Sequence, residues 1–190
     1  MSQIFLFNAS FHLFLIQIDQ EIATKTREQG CICCGGKLHA ADYPRSPVGI
    51  PSELRDYFDE RLSFCCAVCR HRATPPSVRF FGRRWYPAPF HLLICVLMCG
   101  INERRLSQIK RHFGITVNES TWKRWRKWWS NEFEETAFWR KEKGLMPNAG
   151  ITDTPFPRAL LNEFHGTLEK KMQFLLRLLS PLTGGILRAV

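Results

Sequence analysis

Residues 66–75 read CAVCRHRATP, and residues 31–36 read CICCGG. Each stretch contains a Cys-x-x-Cys pair, a spacing that turns the backbone tightly enough for two thiolates to reach one ion. Two such pairs complete the tetrahedral shell of four thiolates that is typical of structural zinc. The sequence therefore predicts a structural Zn2+ site. Its expected ligands are Cys31, Cys34, Cys66 and Cys69.

Four further side chains adjoin this predicted site and leave its register open by one residue. Cys33 and Cys65 are each next to a predicted ligand and could replace it. His39 and His71 could also ligate, although an exposed or phosphate-facing histidine is the commoner outcome.

Two more cysteines, Cys95 and Cys99, are four residues apart in an apolar segment. This spacing could form a second soft metal site, but free cysteine is among the most buried residue types, which favours two core side chains. A redox role for either Cys-x-x-Cys pair would need a thioredoxin-like βαβ setting, and the sequence shows none.

Composition limits the class of protein. The 190 residues suit one ordinary domain or two small ones, and 45% hydrophobic content supports a packed core. A net charge of +10 favours a polyanionic partner, with nucleic acid ahead of an anionic membrane surface. Eight cysteines without a secretory signal indicate thiols or bound metal, so we expect a cytoplasmic protein. No apolar run reaches transmembrane length, and no membrane partner is expected.

The positive charge is concentrated in residues 70–127. This window holds thirteen Lys or Arg against two acidic residues, a net charge of +11. Clustered cations are what phosphate binding needs, because each neutralised phosphate releases condensed counterions. A solvated basic face is the simpler interpretation of any charge run. The predicted DNA contacts are Arg70, Arg72, Arg79, Arg83, Arg84, Lys110, Arg111, Lys123, Arg124, Arg126 and Lys127.

The fold class predicted by the pattern is α+β, mainly α. Residues 1–87 are expected to form an N-terminal helix over 11–29, ended by Gly30, followed by a zinc ribbon. Between the cysteine pairs, Ser52 is a good N-cap for a short inserted helix to about residue 61. Strands are predicted over 62–65 and 77–81.

Residues 88–144 are predicted to be a helix-turn-helix domain. The pattern indicates an apolar helix over 90–99, a second helix over 104–113, and a third from Asn118 or Ser120 to Phe133. The third helix has an inward aromatic stripe and outward cations that could enter a major groove. The stripe consists of Trp122, Trp125, Trp129 and Phe133. Trp128, Trp85 and Tyr86 lie off the stripe or beside arginines, so they are the better candidates for stacking on bases.

Residues 145–190 are predicted to be a linker and a C-terminal helical segment. Residues 145–157 are rich in loop-forming residues, and 158–180 carry the leucine pattern of one or two amphipathic helices, interrupted at Gly166.

The order of these parts resembles the zinc-ribbon plus helix-turn-helix N-terminal region of bacterial insertion-sequence transposases, over roughly residues 31–130. The most specific features are the two Cys-x-x-Cys pairs and residues 113–116 (FGIT) followed by 121–125 (TWKRW). The resemblance implies recognition of element-terminal DNA, by a stand-alone protein associated with mobile elements. The turn between residues 116 and 121 is about two residues longer than the tight form, which changes the expected docking angle.

The catalytic half of such transposases has no counterpart in this sequence. It requires an RNase-H-like fold with three carboxylates around two metal ions. The sixty or so residues after Trp129 are too few for that fold, and their acids fall on predicted helices and loops. The expected function is therefore duplex DNA binding without enzymatic activity. The alternatives are an adaptor whose C-terminal helices bind a recombinase or a second copy of the chain, and an RNA-binding protein that uses the same basic face.

Overall fold

A computed structural model of the chain describes residues 8–46, 50–81, 86–97, 107, 111, 118–146, 148–149 and 154–184. The chain divides into two compact units. The first unit comprises Met1–Val48, Ser52–Ala88 and Leu176–Val190, and the second comprises Gly49–Pro51 and Pro89–Leu175. The fold is mixed α and β, with small antiparallel sheets.

Helix α1, Ala9–Gln29, opens the first unit and confirms the predicted N-terminal helix. The side chain of Asn8 caps its first turn by accepting the N–H of Ser10 at 2.9 Å. Phe11 and Leu15 bury one face. The helix ends where predicted, at Gly30, whose φ of 75° lies in the left-handed region that glycine tolerates best.

A three-stranded antiparallel sheet follows α1. Its strands are β1 (Leu38–Ala40), β4 (Phe64–Cys66) and β5 (Arg72–Ala73), in the order β1-β4-β5. Leu38 pairs with Cys66, and Phe64 pairs with Ala73. Cysteine side chains share the resulting apolar core, which contains Ala23, Cys31, Leu38, Phe64 and Cys66. The two Cys-x-x-Cys pairs are therefore anchored by the same small core.

Two further strand pairs complete the sheets of the first unit. Strand β2 (Tyr43–Pro44) pairs with β3 (Glu60–Arg61), and β6 (Phe80–Phe81) pairs with β7 (Tyr86–Pro87). Between β2 and β3, the helix predicted from Ser52 is a 3-10 helix that ends at Tyr57. The strand predicted over 62–65 forms at 64–66, and the one predicted over 77–81 is limited to its last two residues.

A buried ion pair explains why the strand before Phe80 is short. Asp19 of α1 is 1% exposed, and it accepts the backbone N–H of Val78 at 2.7 Å and the Nε–H of Arg79 at 2.8 Å. The other two nitrogens of Arg79 donate to the carbonyls of Tyr57 and Glu60. Because all three of its side-chain nitrogens are engaged inside the unit, Arg79 is not available as the DNA contact that the sequence predicted. Removing one partner of such a pair costs about 3–5 kcal/mol.

The C-terminal part of the chain returns to the first unit. The 3-10 helix Ser180–Thr183 places Thr183 against Ser77, where its hydroxyl accepts the Ser77 N–H at 2.6 Å and lies 3.1 Å from the Ser77 carbonyl. Residues 176–190 accordingly belong to the first unit.

The described helices from Ala88 to Leu179 are short, and they belong mainly to the second unit, which ends at Leu175. Helix α2 is Ala88–Leu97, and α3 is Glu119–Lys127, which Asn118 caps by accepting the Ser120 N–H at 2.9 Å. A π-helical turn, Trp128–Glu132, extends α3. Helix α4 is Ala137–Glu142, with a 3-10 turn at Lys143–Leu145, α5 is Arg158–Asn162 and α6 is Leu168–Leu179. Gly166 separates α5 from α6, as the sequence predicts.

The predicted helix over 104–113 falls outside the described residues, apart from Ser107 and Arg111. The first helix of the predicted helix-turn-helix is therefore not part of the described structure. No helix in the described ranges is both long and apolar enough to cross a membrane.

Aromatic rings form the core of the second unit. The ring of Phe133 lies 5.0 Å from those of Trp129 and Phe156 and 5.4 Å from that of Trp139. His91 of α2 is buried, and its Nε2 accepts the indole N–H of Trp129 at 3.4 Å. Since the indole can only donate, this nitrogen carries no proton. Burial lowers the pKa of His91 to about 3, which keeps the ring neutral.

Cys95 lies in the same core, with its sulfur 3.8 Å from His91 Nε2. Burial raises the pKa of its thiol, so it behaves as the apolar side chain that the sequence favours. Cys99, the other cysteine of this pair, lies outside the described residues.

Candidate metal centre and basic surfaces

The four predicted ligands come together in the first unit. The sulfurs of Cys31 and Cys69 are 3.5 Å apart, as are those of Cys34 and Cys66, and all four lie within 4.8 Å of one another. A tetrahedral ion with metal–sulfur bonds of about 2.3 Å places its sulfurs about 3.8 Å apart. The four thiols are free cysteines at distances that fit one shared metal ion.

The first CxxC turn, residues 31–36, is folded by its own backbone. The Gly35 N–H donates to the Cys31 carbonyl at 2.7 Å, and the Cys31 N–H donates to the Gly36 carbonyl at 2.9 Å. The Cys33 N–H points at the Cys31 sulfur, 3.4 Å away. Gly35 has a φ of 69°, so this turn uses glycine at its left-handed position.

The second CxxC turn, residues 66–71, repeats every one of these contacts. The Arg70 N–H donates to the Cys66 carbonyl at 3.2 Å, and the Cys66 N–H donates to the His71 carbonyl at 2.9 Å. The Val68 N–H points at the Cys66 sulfur, 3.4 Å away. The left-handed position is occupied by Arg70, with a φ of 59°. The two turns thus present their cysteines in the same way.

Backbone dipoles favour thiolate at the first cysteine of each turn. The N–H groups of Cys69 and Val68 lower the pKa of the Cys66 thiol to about 6. In the first turn, the N–H groups of Cys33 and Cys34 lower the pKa of Cys31. Although the His71 N–H acts in the same direction on Cys69, hydrogen bonding with the Cys34 and Cys31 thiols raises the pKa of Cys69 to about 12. Four thiolates this close together repel one another, so all four are negative only when a cation binds between them.

Gly36 shows that the space around the sulfurs is filled by the protein. A Cβ at this position would lie 3.0 Å from the Cys66 sulfur and 3.2 Å from the Cys34 sulfur. Both distances are shorter than ordinary van der Waals contact, so a side chain here would push a ligand sulfur by a few tenths of an ångström. Gly36 of the first turn therefore packs directly against the Cys66 sulfur of the second turn.

The other side chains proposed near the site lie outside this group of four. The Cys33 side chain is exposed, and the Cys65 sulfur is 3.6 Å from the Arg70 carbonyl. His39 and His71 are both exposed. In the described part of the chain, the four cysteines are the only group of three or more candidate metal ligands.

The second unit contains a cationic surface on α3. Lys123, Arg124, Arg126 and Lys127 are exposed, whereas Trp122 and Trp129 of the predicted stripe are 1% and 2% exposed. Trp125 is half-buried. Lys123 pairs with Glu119 at 2.9 Å, one turn away, and Arg124 donates to the Thr121 hydroxyl at 3.1 Å.

The remaining predicted DNA contacts differ in their surroundings. Arg70 and Arg72 are exposed in the first unit, and Arg79 is buried against Asp19. Arg111 is exposed. Residues outside the described ranges are Arg83, Arg84 and Lys110, together with Trp85.

Trp128 has a different environment from the one expected. It is half-buried, and its ring lies 4.6 Å from that of Trp129 and 5.5 Å from that of Phe133. The π-helical turn causes this, because the Phe133 N–H donates to the Trp128 carbonyl five residues earlier. Much of the indole is therefore engaged by the aromatic core rather than free to stack on bases.

Sequence reasoning missed Asp19, the anchor of the buried ion pair. It also missed a cluster of Tyr43, Arg45 and Arg61 in strands β2 and β3 and the residues beside them. No family model matches the chain, and the comparisons with curated proteins and with solved structures found no match. What the structure defines is a mixed α and β protein with a four-cysteine group that could hold one metal ion.

Proposed function

We propose that this protein is a zinc-stabilised DNA-binding protein, of the transposase-like or mobile-element accessory kind and without its own nuclease site. The observation that carries the proposal is the sidedness of α3. Its four cations face outward while Trp122 and Trp129 are buried. A helix whose charged face is free while its aromatic face is packed can contact phosphates or enter a major groove without losing its own support.

Zinc is the metal that best suits the four-cysteine group. Thiolates are soft ligands, and a closed tetrahedral shell of four suits an ion without geometric preference or redox chemistry. Such a shell leaves no position for a substrate, so the ion would be structural. Because β4 carries Cys66 and leads directly into the second CxxC turn, the bound ion would hold the β1-β4-β5 sheet together as a zinc ribbon.

The ion pair on α3 does not oppose DNA binding. Lys123 and Glu119 are both well exposed, and an exposed pair of this kind contributes about 0.3–0.5 kcal/mol. A phosphate can therefore compete for Lys123 at little cost. Each phosphate neutralised on duplex DNA adds favourable counterion release.

The adaptor alternative gains no support from the C-terminal helices. Met172, Leu175, Leu176 and Leu179 of α6 are all buried. The leucine pattern that would bind a recombinase or a second copy is thus used within the chain. Phe174 remains half-exposed on this helix.

A salt titration with a matched control tests the proposal. Binding of the full chain to a fluorescent duplex should weaken with a log–log slope of about −0.9 for each phosphate contacted. Arg124→Ala should make the slope shallower by about 0.9, since it removes one contact. Lys141→Ala removes the same charge from an exposed position on α4 and should leave the slope unchanged.

Three outcomes would contradict the proposal. The duplex could fail to bind at low salt, or both variants could have the same effect, which would indicate unspecific attraction. Tighter binding of an RNA hairpin than of the duplex would favour the RNA-binding alternative.

A further inference from the structure

Tyr43, in strand β2 of the first unit, is the centre of an arginine cluster. The guanidinium carbon of Arg45 lies 4.8 Å from the Tyr43 ring centroid, and that of Arg72 lies 5.1 Å from it. Arg45 also donates to the Tyr43 hydroxyl at 3.1 Å, and Arg72 donates to the Ala41 carbonyl at 3.3 Å. These contacts hold two like charges beside one ring, where they repel each other.

A third guanidinium belongs to the same cluster. Arg61 is directly opposite Tyr43 in the β2–β3 pair, so the two side chains share one face of the ladder. Arg61 is only 3% exposed; its Nη2 donates to the Pro75 carbonyl and its guanidinium carbon lies 5.8 Å from the Phe80 ring centroid. Its Nη1 is buried and has no hydrogen-bond partner within the described part of the chain. An unsatisfied donor on a buried cation is expensive, on the order of 1–3 kcal/mol or more.

The buried carboxylate that acts on Arg61 is engaged elsewhere. Asp19 raises the pKa of Arg61, but its ion pair is with Arg79. Among the described residues, neither Arg61 nor Arg72 forms an ion pair. Burial lowers the pKa of Arg61, and the Asp19 carboxylate offsets this only in part.

We propose that Arg45, Arg61 and Arg72, arranged around Tyr43, form a binding site for a phosphate group. Guanidinium forks match the oxygens of a tetrahedral phosphate, and an adjacent aromatic ring holds the forks in place. The phosphate could be a free ion or part of a nucleic-acid backbone. The nucleic-acid source rests on the proposed function, whereas binding of the free ion does not.

Calorimetric titration of the full chain with inorganic phosphate tests the site. Arg72→Gln and Arg45→Gln should each weaken phosphate binding at least tenfold, because each removes a charged donor pair. Two variants are used so that the loss of fold in one leaves the other to decide. Arg55→Gln removes an exposed arginine from the 3-10 helix of the same unit and should change the affinity less than twofold. Circular dichroism verifies that each variant is folded.

A duplex arm distinguishes the two sources of phosphate. If the site binds the DNA backbone, inorganic phosphate competes with the duplex and Arg72→Gln makes the salt slope shallower by about 0.9. If Arg72→Gln abolishes phosphate binding and leaves the slope unchanged, the ligand is the free ion. No saturable heat with phosphate, or an equal loss for Arg55→Gln, overturns the site. Phosphate binding without any duplex binding would overturn the proposed DNA function alone.

Discussion

The two CxxC turns have the same hydrogen bonds but different residues at the two positions after the second cysteine. Gly35 occupies the left-handed position of the first turn, and Arg70 occupies it in the second. A non-glycine residue in this region costs about 1 kcal/mol or more. Since both turns nevertheless adopt one shape, the shape is imposed by the need to converge two sulfurs, and the residue type only sets how much strain results.

The next position differs for a second reason. Gly36 is in contact with the cysteine cluster, whereas its counterpart His71 is exposed. The two turns therefore present their cysteines in the same way, but only the first turn packs the residue at this position against the sulfurs.

The largest effect should come from removing one sulfur from either turn. Cys34→Ser and Cys69→Ser should each abolish tight metal binding, because both leave three thiolates in a site built for four. A structural zinc ion contributes on the order of 10–16 kcal/mol to such sites, so the first unit should also lose structure. Mass spectrometry under native conditions and circular dichroism measure both losses. Retention of one metal ion by either variant would show that the turns are not equivalent.

Gly36→Ala tests the inequality between the turns. The added Cβ would press on the Cys66 and Cys34 sulfurs, and we expect metal affinity to fall by about 10–100-fold, as for other disturbances next to the ligands. His71→Ala, at the matching position, should leave affinity within experimental error. Competition with a chelator measures both. If the two variants behave alike, the close approach of Gly36 to the cluster is unimportant.

Exchanges at the left-handed position should change stability with opposite signs. Arg70→Gly relieves a strained residue, which by itself raises the free energy of unfolding by about 1 kcal/mol. Glycine's extra freedom in the unfolded chain offsets part of this gain, so the net change is positive but smaller. Gly35→Ala introduces the same strain and should lower the free energy of unfolding by about 1 kcal/mol. Urea unfolding of the metal-loaded protein provides the comparison. Two changes of the same sign would mean that the turns differ in backbone shape in solution.

The smallest effect is expected at the two neighbouring cysteines. Cys33→Ser and Cys65→Ser remove thiols that lie outside the group of four, so the metal stoichiometry should stay at one and stability should change by less than about 0.5 kcal/mol. Titration with a coloured metal such as Co2+ would reveal a changed ligand set. Loss of the metal from either variant would mean that Cys33 or Cys65, rather than its neighbour in the group of four, is a metal ligand.

The sequence predicted the elements whose signals are local. Cysteine spacing identifies the group of four, and helical period with Asn118 and Gly30 as end signals locates parts of α1 and α3. The outward placement of the α3 cations follows from the same period. These features depend on residues at most a few positions apart, which is why pattern alone was sufficient.

Other features depend on contacts between distant residues and could not be predicted. Asp19 meets Arg79 across sixty positions, so nothing in the local charge pattern separates Arg79 from the exposed arginines around it. Strands β2 and β3 have two residues each, too few to show a period. The π-helical turn at Trp128–Glu132 inserts a wider hydrogen bond into an otherwise regular stripe, and this brings Trp128 to Phe133.

The contact between Thr183 and Ser77 has a consequence for biosynthesis. A ribosome releases the chain from its N-terminus, and residues 31–73, which contain both cysteine pairs, emerge more than a hundred residues before Thr183. The sheet that carries the four-cysteine group can therefore assemble early, while the first unit as a whole waits until the second has been translated. Nascent chains stalled before residue 180 should already bind metal but leave Ser77 without its last partner.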